Sequence, residues 1–99
     1  MWFEWDPRKA IVNAIKHGVT FDEAATAFRD PLAACLRDDE HSVGEKRRIL
    51  VGLSAHGRLL LVSFAEKRHD CIRLINARPA TRRERRNHEE RFFDQQRGA

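Results

Sequence analysis

Three short stretches of this 99-residue chain concentrate side chains that can move protons or bind phosphate. Lys16 and His17 are adjacent, and the middle of the chain carries His41, Glu45 and Arg47. The third stretch combines arginines with a histidine: Arg78, Arg82, Arg85 and His88. Imidazole titrates near neutral pH, whereas guanidinium keeps its charge and can bind two phosphate oxygens at once.

This combination suits cleavage of RNA without a metal ion. The reaction needs a base for the ribose 2′-hydroxyl, fixed positive charge at the phosphate and an acid for the leaving 5′-oxygen. An aromatic side chain such as Trp5 can stack on an unpaired base. The sequence contains no Gly-rich phosphate loop, no HExxH motif and no Cys/His cluster with zinc spacing. A nucleotide-dependent or zinc enzyme is therefore not expected.

Most of these residues also have an ordinary structural explanation. Lys16 and His17 suit the negative end of a helix dipole. Glu45 and Arg47 have the spacing of a surface ion pair along a strand. A cap or a salt bridge would explain Arg78, a loop position would explain His41, and core packing would explain Trp5. The residues alone therefore indicate a small basic domain for which RNA binding is one interpretation.

Composition and length bear on the partners, the number of domains and the cellular location of the protein. The formal net charge of +4 favours a polyanion or an acidic protein as partner. The length predicts one domain over residues 1–99. Cys35 and Cys71 are isolated and are predicted to be buried without a disulfide. Because the sequence shows no signal peptide and no apolar run of ~18 residues, we predict a cytoplasmic protein without membrane contact.

Capping residues predict two helices in the first third of the chain. Asp6 is a suitable N-cap for a helix over Pro7–His17, which Gly18 would end. An apolar stripe at helical spacing supports this helix and consists of Ala10, Ile11, Ala14 and Ile15. Thr20 predicts the start of a second helix that ends before Pro31.

The rest of the chain predicts strands followed by a last helix. Apolar runs and alternation indicate strands at 2–5, 32–36, 46–54, 59–64 and 71–78. Thr81 and Glu84 have capping-box spacing and predict a basic C-terminal helix. Helices segregated from successive strands predict an α+β fold, with helices packed on one face of a small antiparallel sheet.

Four blocks of the sequence resemble the BrnT family of toxins. FEWDPRKAIVNAIKHGVTFDEAATAFRDP, DDEHSVGEKRRILVGLS, GRLLLVSF and IRLINARPATRRER follow one another from Phe3 to about Arg86. The most specific patterns are F-x-W-D, N-x-x-K-H-G-V, D-x-x-H-S-x-x-E-x-R and I-R-L-I-N-A-R-x-A-T-x-x-E-R. The resemblance covers nearly the whole chain.

The resemblance implies a RelE-like α+β fold and a ribonuclease that needs no metal or other cofactor. Such a toxin inhibits translation by cleaving RNA, and a DNA-binding antitoxin of the BrnA kind neutralises it. Operator DNA would be contacted only through that antitoxin, and a homodimer within the complex is left open. The alternative is a weak or inactive toxin-like module that holds its antitoxin and assists repression of the operon.

Positions that match the family motifs imply roles for individual residues. The implied catalytic residues are His41, Glu45, Arg47, Arg78 and Arg85. The two arginines Arg47 and Arg78 would stabilise phosphate, and Glu45 or His41 would be the base. Trp5, Lys16 and His17 also match motif positions and are assigned to RNA binding. The basic C-terminal stretch adds Arg82 and His88 to that group.

Two positions depart from the family pattern. Relatives usually carry serine at the position of Asn76, and many carry tyrosine at the position of His88. An aromatic hydroxyl near that point can assist catalysis in RelE-like toxins. If His88 takes its place, the role of the acid passes to imidazole or the activity is weakened.

Overall fold

A computed structural model of the protein describes residues 1–42 and 44–97, without the side chains of His41 and of residues 92–97. The strands are β1 (Trp2–Glu4), β2 (Ala34–Arg37), β3 (Arg47–Leu53), β4 (Leu59–Glu66) and β5 (Cys71–Pro79). The α-helices are α1 (Pro7–His17), α2 (Phe21–Thr26) and α3 (Arg82–Arg97). Short 3-10 turns lie at Ala27–Arg29 and Asp39–His41.

The predicted capping residues fix the ends of the first two helices. The Asp6 carboxylate accepts the backbone N–H of Arg8 at 2.9 Å, and Gly18 ends α1 with a φ of 67°. A positive φ costs glycine little, because it has no Cβ. The Thr20 hydroxyl accepts the N–H of Glu23 at 3.0 Å and so starts α2. The first helix therefore has its predicted bounds, and the second begins where it was expected.

The five strands form one sheet in the order β1-β5-β4-β3-β2. The pairs β2–β3, β3–β4 and β4–β5 are antiparallel. The predicted α+β fold is confirmed. One strand pair departs from an antiparallel arrangement, since β1 runs parallel to β5 with Trp2 beside Cys71. A pairing between a three-residue strand and a segment so distant in the chain leaves no local sequence signal.

The core lies between the sheet and the first two helices. Leu60, Val62 and Leu74 point from the sheet towards Phe21 and Val19, and all five are almost fully buried. This sheet face is termed the covered face.

The 3-10 turn after α2 packs tightly against the sheet at Gly52. A Cβ atom added to Gly52 would lie 2.8 Å from the carbonyl oxygen of Ala27. Only glycine therefore fits at this point of β3.

Two features of the surface differ from the sequence-based expectation. Of the predicted apolar stripe on α1, Ala10 packs against the core, whereas Ile11 and Ile15 point outwards. Cys35 is exposed rather than buried, because it lies on β2 at the edge of the sheet. Cys71 is half-buried rather than fully buried, and both cysteines are free thiols. In the described ranges, no helix combines the length and apolar character needed to cross a membrane.

Candidate active site on the far face of the sheet

The sheet face turned away from α1 and α2, termed the far face, carries several basic side chains. Side chains alternate between the two faces along each strand, and the core residues fix which positions point away from the helices. One row across the sheet consists of Glu4, Arg73, Ala65 and Arg47. Arg47 and Arg73 are two strands apart, which separates their Cα atoms by about 10 Å. The register therefore places two arginines side by side on this face.

Arg47 is held in place by the loop that precedes β3. Its backbone N–H donates to the Ser42 hydroxyl at 3.1 Å, and its carbonyl accepts the N–H of Asp38 at 3.1 Å. The Ser42 hydroxyl in turn donates to the carbonyl of Asp38 at 2.6 Å. These bonds close the loop on itself and fix the first residue of the strand.

A carboxylate lies between two cations at the end of this row. Glu45 accepts the Nζ–H of Lys67 on Oε2 at 2.7 Å and the Nε–H of Arg47 on Oε1 at 3.3 Å. Lys67, and to a smaller extent Arg47, lowers the pKa of the Glu45 carboxyl below its ordinary value. All three side chains keep about a third of their surface exposed. The cluster is therefore ionised and accessible to a solute.

A polar groove of about 470 Å³ adjoins this cluster beside β2, and the strand register places Arg37 and Arg48 of its lining on the covered face. Its lining contains four basic side chains, one carboxylate and one hydroxyl: Arg37, Lys46, Arg47, Arg48, Asp39 and Ser42. Arg37 pairs with Asp39 at 3.2 Å, and both are largely exposed. Such an exposed pair is weak and exchanges readily with an anionic ligand. The groove is suited in charge to a phosphodiester backbone.

Arg78 lies on the far face about 13 Å further along the strands, in the row of Val51. Its guanidinium donates to both carboxylate oxygens of Glu84, at 2.7 and 2.8 Å. Arg78 thereby lowers the pKa of Glu84 to about 2. The carboxylate also accepts the N–H of Thr81, whose hydroxyl accepts the N–H of Glu84. The salt-bridge explanation of Arg78 therefore describes the observed geometry, and its catalytic role stays a prediction.

The predicted RNA-binding residues of the N-terminal stretch lie away from the Glu45 cluster. Lys16 and His17 line a groove between α1 and β5 that also contains Asn76. Trp5 packs edge-to-face on Phe21, with ring centroids 5.9 Å apart and an interplanar angle of 74°. Core packing accounts for the position of Trp5, and a role in base stacking stays a prediction for this residue.

The remaining predicted residues lie in a loop and on α3. His41 belongs to the short turn before β3, and its side chain lies outside the described part of the molecule. Arg82 and Arg85 are exposed in the first turns of α3. His88 is half-buried, and its Nδ1 is buried without a hydrogen-bond partner among the described residues. The roles assigned to these four side chains stay predictions.

Three far-face residues were not identified from the sequence. Lys67 pairs with Glu45 across 22 positions of the chain, and Arg73 enters the row of Arg47 through the strand register. Trp2 is 68% exposed and borders a groove of about 670 Å³ together with Lys67. The alternation in WFEW indicates that Trp2 and Phe3 point to opposite faces of the sheet. It does not show which of the two faces the helices cover, so it could not predict that Phe3 packs against the core.

Across residues 1–42 and 44–97, apart from the side chains left undescribed, no group of three or more His, Cys, Asp or Glu is arranged to hold a metal ion.

Comparison with known families identifies the chain. Residues 5–84 match the family described as "Ribonuclease toxin, BrnT, of type II toxin-antitoxin system". The chain belongs to the BrnT family. The matched segment includes the loop before β3, the Glu45 cluster and Arg78, but it begins after Trp2. A comparison with curated protein sequences gives no match.

A solved structure supports the fold. The 1.1 Å crystal structure of the Brucella abortus ribonuclease toxin, BrnT, is similar, with a TM-score of 0.65 and 20% sequence identity. The similarity covers 83% of this chain and 99% of the Brucella chain. At this identity, the similarity shows that the two proteins share a fold.

Proposed function

We propose that this BrnT-family protein is a metal-independent endoribonuclease that inhibits translation by cleaving RNA on the far face of its sheet. The observation that carries the proposal is the accessible Glu45–Arg47–Lys67 cluster beside a basic groove. Family membership supports it, because BrnT proteins are described as ribonuclease toxins of type II toxin–antitoxin systems. We also propose that the protein acts in the cytoplasm.

The proposed reaction is a transesterification followed by product release. A base removes the proton of the ribose 2′-hydroxyl, and the 2′-oxygen attacks the adjacent phosphorus. The bond to the 5′-oxygen breaks, and an acid protonates that oxygen. The products are a 2′,3′-cyclic phosphate and a 5′-hydroxyl. Arg47 and Lys67 would stabilise the negative charge that develops on the phosphate oxygens.

The environment of Glu45 bears on the choice of base. Its two oxygens already accept hydrogen bonds from Lys67 and Arg47, and its lowered pKa makes it a weak proton acceptor. We therefore assign Glu45 to positioning the two cations. His41, four residues earlier on the same loop, remains the candidate for the base. Histidine is the side chain type whose ordinary pKa lies nearest to neutral pH, which suits a general base.

Trp2 extends the proposed RNA-binding surface beyond the catalytic cluster. The exposed indole borders a groove whose lining includes Lys67, Arg68 and His69. Single-stranded nucleic acids bind surfaces that combine an aromatic platform with positive charge along the backbone. A base 5′ or 3′ of the cleaved phosphate would stack on Trp2, the role that the sequence had suggested for Trp5.

The antitoxin is the second part of the proposal. Membership of a type II toxin–antitoxin family implies an antitoxin partner. We propose that this partner is a DNA-binding protein of the BrnA kind that contacts the operator for the complex. Such an antitoxin could inhibit the toxin by covering the basic far face or α3.

The test is to incubate the purified protein with an unstructured RNA in excess EDTA and to map the ends of the products. We expect 2′,3′-cyclic phosphate ends, and a loss of cleavage of about a hundredfold or more in Arg47→Ala. Arg29→Ala is the matched control, because Arg29 is exposed at the end of the 3-10 turn that follows α2 and belongs to no proposed site. Arg78→Ala, assayed in parallel, shows whether the Glu84-bound arginine takes part.

Two results would contradict the proposal. Cleavage that disappears in EDTA and returns with a divalent ion would show a metal-dependent reaction. An intact protein that binds its antitoxin without cutting RNA, alone or on ribosomes, would instead identify an inactive toxin-like binding module.

A further inference from the structure

The outward side of α1 is apolar. Ile11, Val12 and Ile15 are 62%, 60% and 81% exposed, and they lie within five consecutive residues. Ile11 and Ile15 are one helical turn apart and form a continuous ridge, with Val12 beside it. The opposite side of the helix already faces the core through Ala10 and Asn13. A helix that is apolar on both sides is typical of one that is covered on both sides.

Positive charge surrounds this apolar surface. Arg8, Lys9 and Lys16 are exposed on α1, and the helix contains no acidic residue between Pro7 and His17. The same basic side chains line a groove of about 260 Å³ between α1 and β5, whose apolar wall includes Val12 and Ile75. An occupant of this surface would be expected to present apolar side chains flanked by carboxylates.

The adjacent edge of the sheet is closed to a further strand. β1 pairs with residues 71–73 of β5, and among the described residues no strand lies beside the second half of β5 on that side. The Asn13 side chain takes that place: its amide donates to the carbonyl of Ala77 at 2.8 Å and accepts the N–H of Ala77 at 3.0 Å. Pro79 follows and has no N–H to offer. Addition of a strand is therefore blocked, whereas a helix can lie along the α1 ridge.

We infer that α1 is the docking surface for an acidic amphipathic helix of the antitoxin, with the apolar side chains of that helix packed on Ile11, Val12 and Ile15. This inference rests on the proposed toxin–antitoxin function. It places the main contact with the antitoxin on a surface distinct from the Glu45 cluster. The groove beside Val12 receives one anchoring side chain of the antitoxin, and carboxylates of the same helix face Arg8 and Lys9.

The inference is tested with the protein encoded beside this gene, co-expressed with the tagged toxin chain. We expect the double variant Ile11→Lys/Ile15→Lys to bind that protein on the order of a hundredfold more weakly, because two central apolar contacts are replaced by charge. Both side chains are exposed, so the substitutions leave the core intact. Leu32→Lys is the matched control, since Leu32 is 52% exposed away from α1 and its substitution should leave binding unchanged.

A charge-reversal pair gives an independent readout. Arg8→Glu/Lys9→Glu should weaken the same complex and reduce its dependence on salt concentration. Cleavage of RNA by the isolated toxin should be unchanged in both double variants. If cleavage is absent in the wild-type protein as well, the proposed function fails while the docking surface is still tested by binding.

Three outcomes would overturn the inference. Unchanged antitoxin binding in Ile11→Lys/Ile15→Lys would show that the ridge is not the docking surface. A wild-type dimer that becomes monomeric in this variant, with antitoxin binding retained, would assign α1 to a second copy of the chain. Loss of RNA binding with retained antitoxin binding would assign the surface to RNA.

Discussion

The two faces of the sheet carry the same kinds of side chain in opposite settings. On the covered side, the Nε and one Nη of Arg58 donate to the two carboxylate oxygens of Glu23, whose side chain is 3% exposed. On the far face, Glu45 binds Lys67 and Arg47 with 29% of its side chain exposed. Both carboxylates have lowered pKa values, and the largest cause in each case is the hydrogen bond from a cationic side chain. Burial, rather than charge pairing, separates a structural ion pair from an accessible one.

The surroundings of Glu23 show why its cluster is structural. The Ser54 hydroxyl donates to Glu23 at 2.7 Å, and Arg58 also donates to the carbonyl of Gly18 at 2.9 Å. The cluster thus joins the start of α2 to the β3–β4 turn. The side chains of the far-face cluster keep about a third of their surface exposed, so their donors remain available to an anion that displaces the carboxylate.

The largest effect is expected for Glu45→Gln. Loss of the carboxylate frees Arg47 and Lys67 from their fixed positions, and misplaced charge stabilises a transition state poorly. We expect kcat/KM for RNA cleavage to fall by about a hundredfold, with the urea midpoint of unfolding unchanged. If Glu45 is instead the base, the acid limb of the pH–rate profile will disappear in the variant. Retention of that limb supports the positioning role.

The same substitution on the covered side should have the opposite result. Glu23→Gln removes a buried charge that Arg58 and Ser54 are arranged to bind, and we expect the free energy of unfolding to fall by about 2 kcal/mol. Urea unfolding measures the loss. The folded fraction should cleave RNA at the wild-type rate. A catalytic defect without a loss of stability would show that the comparison assigns the two clusters wrongly.

Low pH should lower the stability of the fold by protonating the Glu23 carboxylate. The pKa of Glu23 is lowered from 4.5 to about 2, so its ion pair contributes fully above about pH 4.5 and is lost as the pH falls towards 2. The difference in unfolding free energy between wild type and Glu23→Gln should therefore be constant near neutral pH and shrink below pH 4.5. A difference that persists unchanged at pH 2 would contradict an electrostatic origin.

The smallest effect is expected for the two tryptophans. Trp2→Ala should weaken binding of a non-cleavable 2′-O-methyl RNA by about tenfold, because one stacked base loses its platform. Its unfolding should be unchanged, since Trp2 is exposed. Trp5→Ala is the counterpart and should lower stability, because Trp5 packs on Phe21. Equal RNA affinity in Trp2→Ala and the wild type would remove the indole from the RNA-binding surface.

Local signals predicted the helical elements well. The caps at Asp6 and Thr20 and the terminator Gly18 act through bonds within a few residues, so the sequence contains the whole interaction. The capping box of Thr81 and Glu84 formed for the same reason. The strands of the meander also lie close to their predicted positions.

Non-local interactions account for the features that could not be predicted. Glu23 and Arg58 are 35 positions apart, and the burial that makes their pair structural depends on the completed fold. The choice between Trp2 and Trp5 as the exposed indole depends on which face the helices cover. The bulge near Ser63 inserts Ile75 into β5, a shift in register that the apolar pattern of that strand does not reveal.

The parallel pair of β1 and β5 has a consequence for synthesis of the protein. Residues 2–4 pair with residues 71–73, so this pair closes a long loop and cannot form until β5 has left the ribosome. The row that contains Arg47 also needs β5 to receive Arg73. A nascent chain therefore cannot complete its far face until β5 has been synthesised and has left the ribosome. The order of strands in the sheet thus delays the assembly of the proposed ribonuclease surface until the strand that carries Arg73 is available.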